Sequence, residues 1–311
     1  MKTQRANLVE RKVREEGEHL LFEYPNGLRV KTEKPLRDDD LRILPLGQPQ
    51  AALMNFMLHE SELLENKLVF EPFAGSGGIG LMALKAGARR VELLDINPKA
   101  TRFQAESARV NGFEPGQFEC IEGSIETFLP GEPYDLIFVN PPFIPTPNGL
   151  RGTTTSKGGS DGNFFVDIML SRLDELLKPS GQAFVYLMQF VEGDRPLISD
   201  SLERIVTDRP VLLTPTQIER VAFDEYYQAY LQLFPDDREA IESWRNDLVG
   251  PHGSELSIEH YIAHLGPRSQ EPCTWKISDD LEQKYGEGLR IHFESGRELA
   301  FGRAFENFRP G

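Results

Sequence analysis

The chain predicts an open α/β fold built on a doubly wound sheet, and three observations carry that prediction. Short apolar runs at 68–70, 91–94, 118–121, 136–139 and 182–187 alternate with amphipathic stretches. That rhythm is the mark of βαβ units and a parallel sheet. The first run opens into a glycine-rich turn, and the fourth stops at Asn140-Pro141-Pro142-Phe143.

Residues 1–18 are charged throughout and predict a helix or a loose arm. A hairpin follows, with 19–23 and 28–31 as strands around Tyr24-Pro25-Asn26-Gly27. Asn-Gly tolerates the positive φ angles of a tight turn. Residues 41–49 are punctuated by Pro and Gly and predict a linker. Leu53, Met57, Leu63 and Leu64 recur at helical spacing over 51–64, which predicts a helix packed on the sheet.

The strand 68–70 then leads through the glycines to a helix ending near Ala86. The strand 91–94 ends in Asp95, and Ala100, Phe103 and Val110 mark one face of the next helix. The strand 118–121 ends at Glu122-Gly123-Ser124. A long loop, 144–163, precedes a helix lined by Phe165, Ile168, Met169, Leu173 and Leu176. The fifth strand is 182–187. After Val211 the alternation fails: 224–234, 236–248 and 258–265 predict helices, and 289–293 and 298–303 predict strands around Ser295-Gly296. The expected organisation is an amino-terminal hairpin extension over 1–48, a ligand-binding domain over 49–213, and a helical and β extension over 214–311, as lid or specificity region.

Composition narrows the function classes. The chain has 311 residues, 39% hydrophobic and 27% charged, enough for one large domain or two small ones. No apolar run reaches the roughly 18 residues that span a bilayer. Cys120 and Cys273 are the two cysteines, too few for a disulfide framework or a cysteine-rich metal cluster. A soluble cytoplasmic protein is expected. The formal net charge of −15 disfavours nucleic acid as a partner, because that binding needs Lys and Arg on phosphates. Arg89-Arg90 and the Arg102/Arg109 pair read as ordinary solvated charges.

Gly75, Gly77 and Gly80 give a Gly-x-Gly-x-x-Gly spacing between strand and helix. Such a turn lets a ligand approach the backbone and aims free N–H groups at it. The spacing fits dinucleotides and S-adenosylmethionine alike. Glu71 sits before the glycines, where it would repel a pyrophosphate and attract the ammonium of a methionine moiety. Asp95 lies about 20 residues past the first glycine, where an acid serves ribose hydroxyls. Asn140-Pro141-Pro142-Phe143 ends a strand beside the same crevice. Its prolines fix two φ angles, so an amide and an aromatic ring are held rigidly there.

At these residues the chain resembles the class I S-adenosylmethionine-dependent methyltransferases, over about 69–186. Their fold is a Rossmann-like, doubly wound mixed sheet. Asn140 to Phe143 resembles the Asn-Pro-Pro-Tyr/Phe motif of enzymes that methylate planar amide or amino nitrogens. Lys157 to Gly162 resembles the Gly-Gly-x-Asp-Gly segment of the HemK/PrmC-type release-factor glutamine methyltransferases. The resemblance implies S-adenosylmethionine bound by Glu71, Phe73, Ala74, Gly75, Ser76, Gly77, Gly80, Asp95, Ile96, Ser124, Ile125 and Asn140. It implies catalysis by Asn140, Pro141, Pro142 and Phe143, no metal, and a protein glutamine as the favoured acceptor. A nucleobase, a small molecule or a peptide is the alternative acceptor, and a noncatalytic cofactor-binding scaffold the alternative class. Ser124 stands where many relatives carry Asp, and Phe143 where Tyr is usual.

The resemblance implies a mechanism of positioning. The Asn140 side-chain carbonyl and the Pro141 backbone carbonyl take the two N–H hydrogens of the acceptor, and Phe143 stacks on its plane. His260 and His264, four apart, share a face of the predicted helix and read as a surface or interface pair rather than a metal site. Cys120 reads as a buried strand residue, and Trp244, Tyr226, Tyr227 and Tyr230 as core or interface. The region from Arg297 to Arg303 is a loose candidate for holding a peptide carboxylate.

Overall fold

The computed structural model describes residues 11–34, 41–150, 156–216, 219–252, 255–271 and 274–278. The chain begins with a three-stranded antiparallel sheet: β1 (Lys12–Glu16), β2 (His19–Glu23) and β3 (Arg29–Glu33). Here β1 corrects the expectation of a helix or arm. Its five side chains are all exposed, so no apolar period marks it. Backbone pairing to β2 across the turn at Gly17 makes it a strand, and its charges suit an open edge. The β2–β3 hairpin closes a three-residue loop between Tyr24 and Leu28, with Gly27 alone in the left-handed region at φ +81°. β3 is stitched to the rest of the molecule. The Lys31 backbone N–H donates to Ser107 Oγ at 3.0 Å, and its side chain pairs with Glu106 at 2.8 Å.

The main unit runs α1 (Gln48–His59), α2 (Ser61–Leu64), β4 (Leu68–Pro72), α3 (Gly78–Lys85), β5 (Arg90–Asp95), α4 (Ala100–Val110), β6 (Phe118–Glu122) and β7 (Tyr134–Val139). It continues through α5 (Phe164–Ser171), α6 (Leu173–Leu176), β8 (Leu177–Glu192), β9 (Arg195–Pro196), α7 (Ile198–Ile205) and β10 (Val211–Pro215). Then come β11 (Val221–Ala222), α8 (Phe223–Leu233), a short 3-10 turn, α9 (Arg238–His252), β12 (Leu256–Leu265) and β13 (Trp275–Ile277).

The large sheet has the order β13-β10-β12-β8-β7-β4-β5-β6. The strands from β6 across to β8 are parallel, and β12 runs antiparallel between β8 and β10. This is the doubly wound, Rossmann-like mixed sheet of the class I methyltransferase fold. The order reverses direction between β4 and β7, which is the topological switch point where such sheets bind ligands. One apolar layer, with Leu53, Met57, Ile79 and Leu81, lies on the α1 and α3 side. The other, with Met169, Leu173 and Ile198, lies on the α5 to α7 side. No helix among the described residues is long and apolar enough to cross a membrane.

Residues 258–265 are strand β12, not the helix expected. All but two of its ten residues are buried. A strand buried on both faces reads as a nearly unbroken apolar run, which periodicity cannot tell from a buried helix. The sheet's last strands are therefore split by a helical insertion, α8 and α9. The strands expected at 289–293 and 298–303 lie outside the described residues.

The insertion is bolted to the loop after β7. The hydroxyls of Tyr226 and Tyr230 both donate to the carbonyl of Pro145, at 3.0 and 2.8 Å. The indole N–H of Trp244 donates to the carbonyl of Ser160 at 2.8 Å. These aromatics are buried together, with the Trp244 ring 5.4 Å from both Phe223 and Tyr230. They are core, as their residue types suggested. Trp244→Phe keeps most of the ring and loses the donor. Urea denaturation is expected to show a loss of about 1 kcal/mol, and Trp244→Ala a loss of about 3–5 kcal/mol through the cavity it opens.

Candidate active site

The switch point brings two strand ends together. β4 and β7 pair in parallel at Val69–Leu136 and Phe70–Ile137, so their carboxyl ends lie side by side, with Glu71 near the end of β4 and Asn140 just past the end of β7. After β4 the chain turns sharply, with positive φ at Phe73, Gly75 and Gly77. Phe73 is not a glycine, and its left-handed backbone is the kind of local strain that collects at functional sites. Gly80 is demanded by close approach: a Cβ there would lie 2.4 Å from Leu93 Cδ2 and 2.9 Å from Glu71 Oε2. Helix α3 thus starts pressed against β4 and β5.

Two carboxylates define the electrostatics. Glu71 is 3% exposed, and its Oε2 accepts the Gly80 N–H at 2.6 Å. Burial pushes its carboxyl up to about 8, against the pull of the Gly80 and Ile79 N–H groups and with a further push from Asp95. Asp95 accepts from the backbone N–H of Gly75 at 2.6 Å and of Asn97 at 2.8 Å. Burial raises it too, opposed by those two bonds. Asp95 is therefore fixed by its own loops, with lone pairs left over for a ligand.

A cleft of about 810 Å³, counting its open mouth, lies between these elements. Of the residues anticipated from sequence, Glu71, Phe73, Ala74, Gly75, Ser76, Asp95, Ile96, Asn140 and Pro142 line it. Gly77, Gly80, Ser124, Ile125, Pro141 and Phe143 are not among its lining residues. Gly77 and Gly80 shape the turn behind it. Ile125 is buried in the opposite apolar layer. The Ser124 hydroxyl accepts the Glu126 N–H at 3.2 Å, capping its own turn.

Asn140 carries the most telling atom. Its Oδ1 is buried, and no donor reaches it among the described residues. A buried acceptor without a donor is costly, so its persistence is a pointer to function. Phe143 packs its ring against Tyr186 and His260, centroids 5.5 and 6.2 Å away. His260 is 2% exposed, and burial pushes it down to about 3, so it is neutral at ordinary pH. His264 stacks on Phe184 at 4.5 Å and shares a 2.7 Å hydrogen bond with Gln182 Oε1. Both histidines are strand residues turned inward, not a surface pair. Cys120 is half-buried in β6, with its thiol pushed up to about 11 by burial, as suits a strand residue rather than a nucleophile.

The glycine segment after the motif is a clamp. The Ile144 N–H donates to Ser156, Gly158 N–H to Ile144, and Thr146 N–H to Gly159, at 2.8–2.9 Å. A Cβ on Gly158 would sit 2.7 Å from the Phe143 backbone. One on Gly162, at φ +85°, would sit 2.6 Å from the Phe143 carbonyl oxygen. Only a chain without side chains at these places can lie so close to the Pro-Pro-Phe backbone.

Sequence reasoning missed a third wall. Leu41, Arg42, Ile43, Leu44 and Leu46, read as linker, line the cleft together with Gln50. This strap is pinned along its length. Glu33 accepts the Ile43 N–H at 2.7 Å, Asn97 Nδ2 donates to the Leu41 carbonyl at 2.6 Å, and Arg11 donates to the Leu46 carbonyl at 2.6 Å. The signal was present in composition: four aliphatic residues within six positions are too many for a solvated linker.

Comparison with known proteins agrees with this layout. A protein-family model described as "Conserved hypothetical protein 95" matches residues 48–148, from α1 through the Asn-Pro-Pro-Phe motif. A Methanocaldococcus jannaschii protein, provisionally named as an N5-glutamine methyltransferase, is 29% identical over 145 residues, 44% of this chain and 68% of that protein. Ribosomal RNA large subunit methyltransferase I of Aliivibrio fischeri is 30% identical over 129 residues, 40% of this chain and 30% of that protein. The tRNA1(Val) (adenine(37)-N6)-methyltransferase of Aeromonas hydrophila is 28% identical over 111 residues, 35% of this chain and 46% of that protein. This chain thus spans about two thirds of the first relative and less than half of the other two. Methyl transfer is what these relatives share by name. The class on which fold and relatives agree is the class I S-adenosylmethionine-dependent methyltransferases.

Two outcomes follow for the site's construction. Glu71 has a higher proton affinity folded than unfolded, so its contribution falls as pH rises from its ordinary value of 4.5 toward about 8. Glu71→Gln is expected to flatten the pH dependence of unfolding free energy across that window, read by urea denaturation at each pH. Gly162→Ala is expected to cost about 1–3 kcal/mol by overpacking, with turnover falling more steeply than the affinity for S-adenosylhomocysteine measured by calorimetry.

Proposed function

We propose that the protein transfers the methyl group of S-adenosylmethionine to a planar amide or amino nitrogen, with a protein glutamine side chain as the favoured acceptor. The observation that carries this reading is the buried Asn140 Oδ1, an acceptor that no donor reaches among the described residues, at the edge of the cleft. An amide nitrogen is a weak nucleophile because its lone pair is delocalised. Two carbonyls accepting its N–H groups, Asn140 Oδ1 and the Pro141 backbone oxygen, would hold it in line and favour pyramidalisation. The bound cofactor supplies an electrophilic methyl carbon and a neutral thioether leaving group. The nitrogen's lone pair forms the new C–N bond as the C–S bond breaks, and the nitrogen then loses one proton to solvent. Positioning and carbonyl dipoles on developing positive charge do the work.

The residues fit the cofactor and fit a dinucleotide poorly. A helix N-terminus after a glycine turn is normally an anion site. Here the Gly80 N–H is already donated to Glu71, so a pyrophosphate would meet a buried acid instead of a free donor. A cationic methionine end suits that acid. Asp95, at the end of β5, would accept from the ribose hydroxyls.

Glutamine is supported by the clamp at Gly158 to Gly162, which resembles that of the glutamine enzymes, by the name of the Methanocaldococcus jannaschii relative, and by the net charge of −15, which disfavours nucleic acid. A nucleobase in RNA is the second reading, supported by the ribosomal and transfer RNA relatives. Asn140→Ala tests the core of the proposal. S-Adenosylhomocysteine affinity is expected to stay within about twofold, while labelled-methyl turnover falls about 100-fold or more. Undiminished turnover in that variant would remove Asn140 from the chemistry. Transfer of label to glutamine-containing protein, against transfer to RNA, separates the two acceptors.

A further inference from the structure

We infer that Arg42, on the strap, receives the α-carboxylate of the cofactor's methionine end. The inference rests on the cofactor reading above and adds a residue to it. The amino-acid end of that cofactor carries a carboxylate beside its ammonium, and each needs a partner in the cleft. The wall formed by Glu71 answers the ammonium. The usual answer to a carboxylate, the free N–H groups at the start of α3, is compromised, because Glu71 Oε2 occupies the Gly80 N–H at 2.6 Å. Arg42 is the basic side chain among the described residues that line the cleft.

Its setting suits the role. Arg42 is 3% exposed, and it stands between the pinned Leu41 carbonyl and the pinned Ile43 N–H. The strap is thus held before any ligand arrives, and little freedom remains to be lost on binding. A guanidinium offers two parallel donors that match both carboxylate oxygens, which an ammonium does not.

The test is calorimetry of the full chain with two ligands, S-adenosylhomocysteine and 5′-methylthioadenosine, which lacks the amino-acid end. Arg42→Ala is expected to weaken S-adenosylhomocysteine by about 10- to 100-fold and to leave 5′-methylthioadenosine within about twofold of its starting affinity. Arg42→Lys keeps the charge without the fork and is expected to fall between. Equal weakening of both ligands in both variants would mean that Arg42 only supports the strap, and no weakening of either would mean that it does not face the ligand. Both results overturn the inference. If the unmodified protein binds 5′-methylthioadenosine and not S-adenosylhomocysteine, the carboxylate assignment fails while the adenosine site stands. If it binds neither, the cofactor reading itself fails and the assignment goes with it.

Discussion

A buried carboxylate capping the first turn of a helix is the constraint around which the cleft is arranged. Glu71 leaves β4 and turns back under α3 to accept the Gly80 N–H. That contact is why position 80 has no side chain, since a Cβ would strike both the acid and Leu93. It also sets the polarity of the site. The positive end of α3, which elsewhere cradles phosphate, is spent on an internal acid. What remains is a pocket that welcomes positive charge near β4 and has to find its own cation for anything negative.

The acceptor side is organised by rigidity rather than charge. Two prolines follow Asn140, a glycine strand lies against the Phe143 backbone, and two tyrosines and a tryptophan from the inserted helices hold the carbonyls of Pro145 and Ser160. Asn140 is thereby fixed from its C-terminal side by elements far apart in sequence. The insertion between β10 and β12 is in this sense part of the site although it touches none of the cleft. Phe143 takes its orientation from Tyr186 and from a neutral His260 on the sheet's antiparallel strand.

Much of this was legible from residues alone, and the reason is locality. The strands from β4 to β7, the glycine turn, Asp95 and the Asn-Pro-Pro-Phe end are each written in fewer than a dozen consecutive residues. What escaped depends on partners distant in sequence. β1 is a strand because β2 pairs with it, while its own side chains are all exposed and four of the five are charged. β12 is buried on both faces, so its apolar run carried no period. The strap looked like a linker because its anchors, Glu33 on one side and Asn97 on the other, are invisible without the fold. Gly158 to Gly162 was legible as a motif but not as a clamp, since its reason lies in the backbone it touches.

The strap's anchors have a consequence for the amino-terminal sheet. Arg11 and Glu33 belong to that sheet or its border, and both hold the strap that walls the cleft. The sheet is joined in turn to α4 through Lys31, Ser107 and Glu106. Order in β1 to β3 and occupancy of the cleft are therefore linked quantities. A ligand resting on the strap would stabilise the three strands by the same free energy with which their folding tightened its grip, and the small sheet, remote from the cleft, would then set the ligand's affinity through linkage alone.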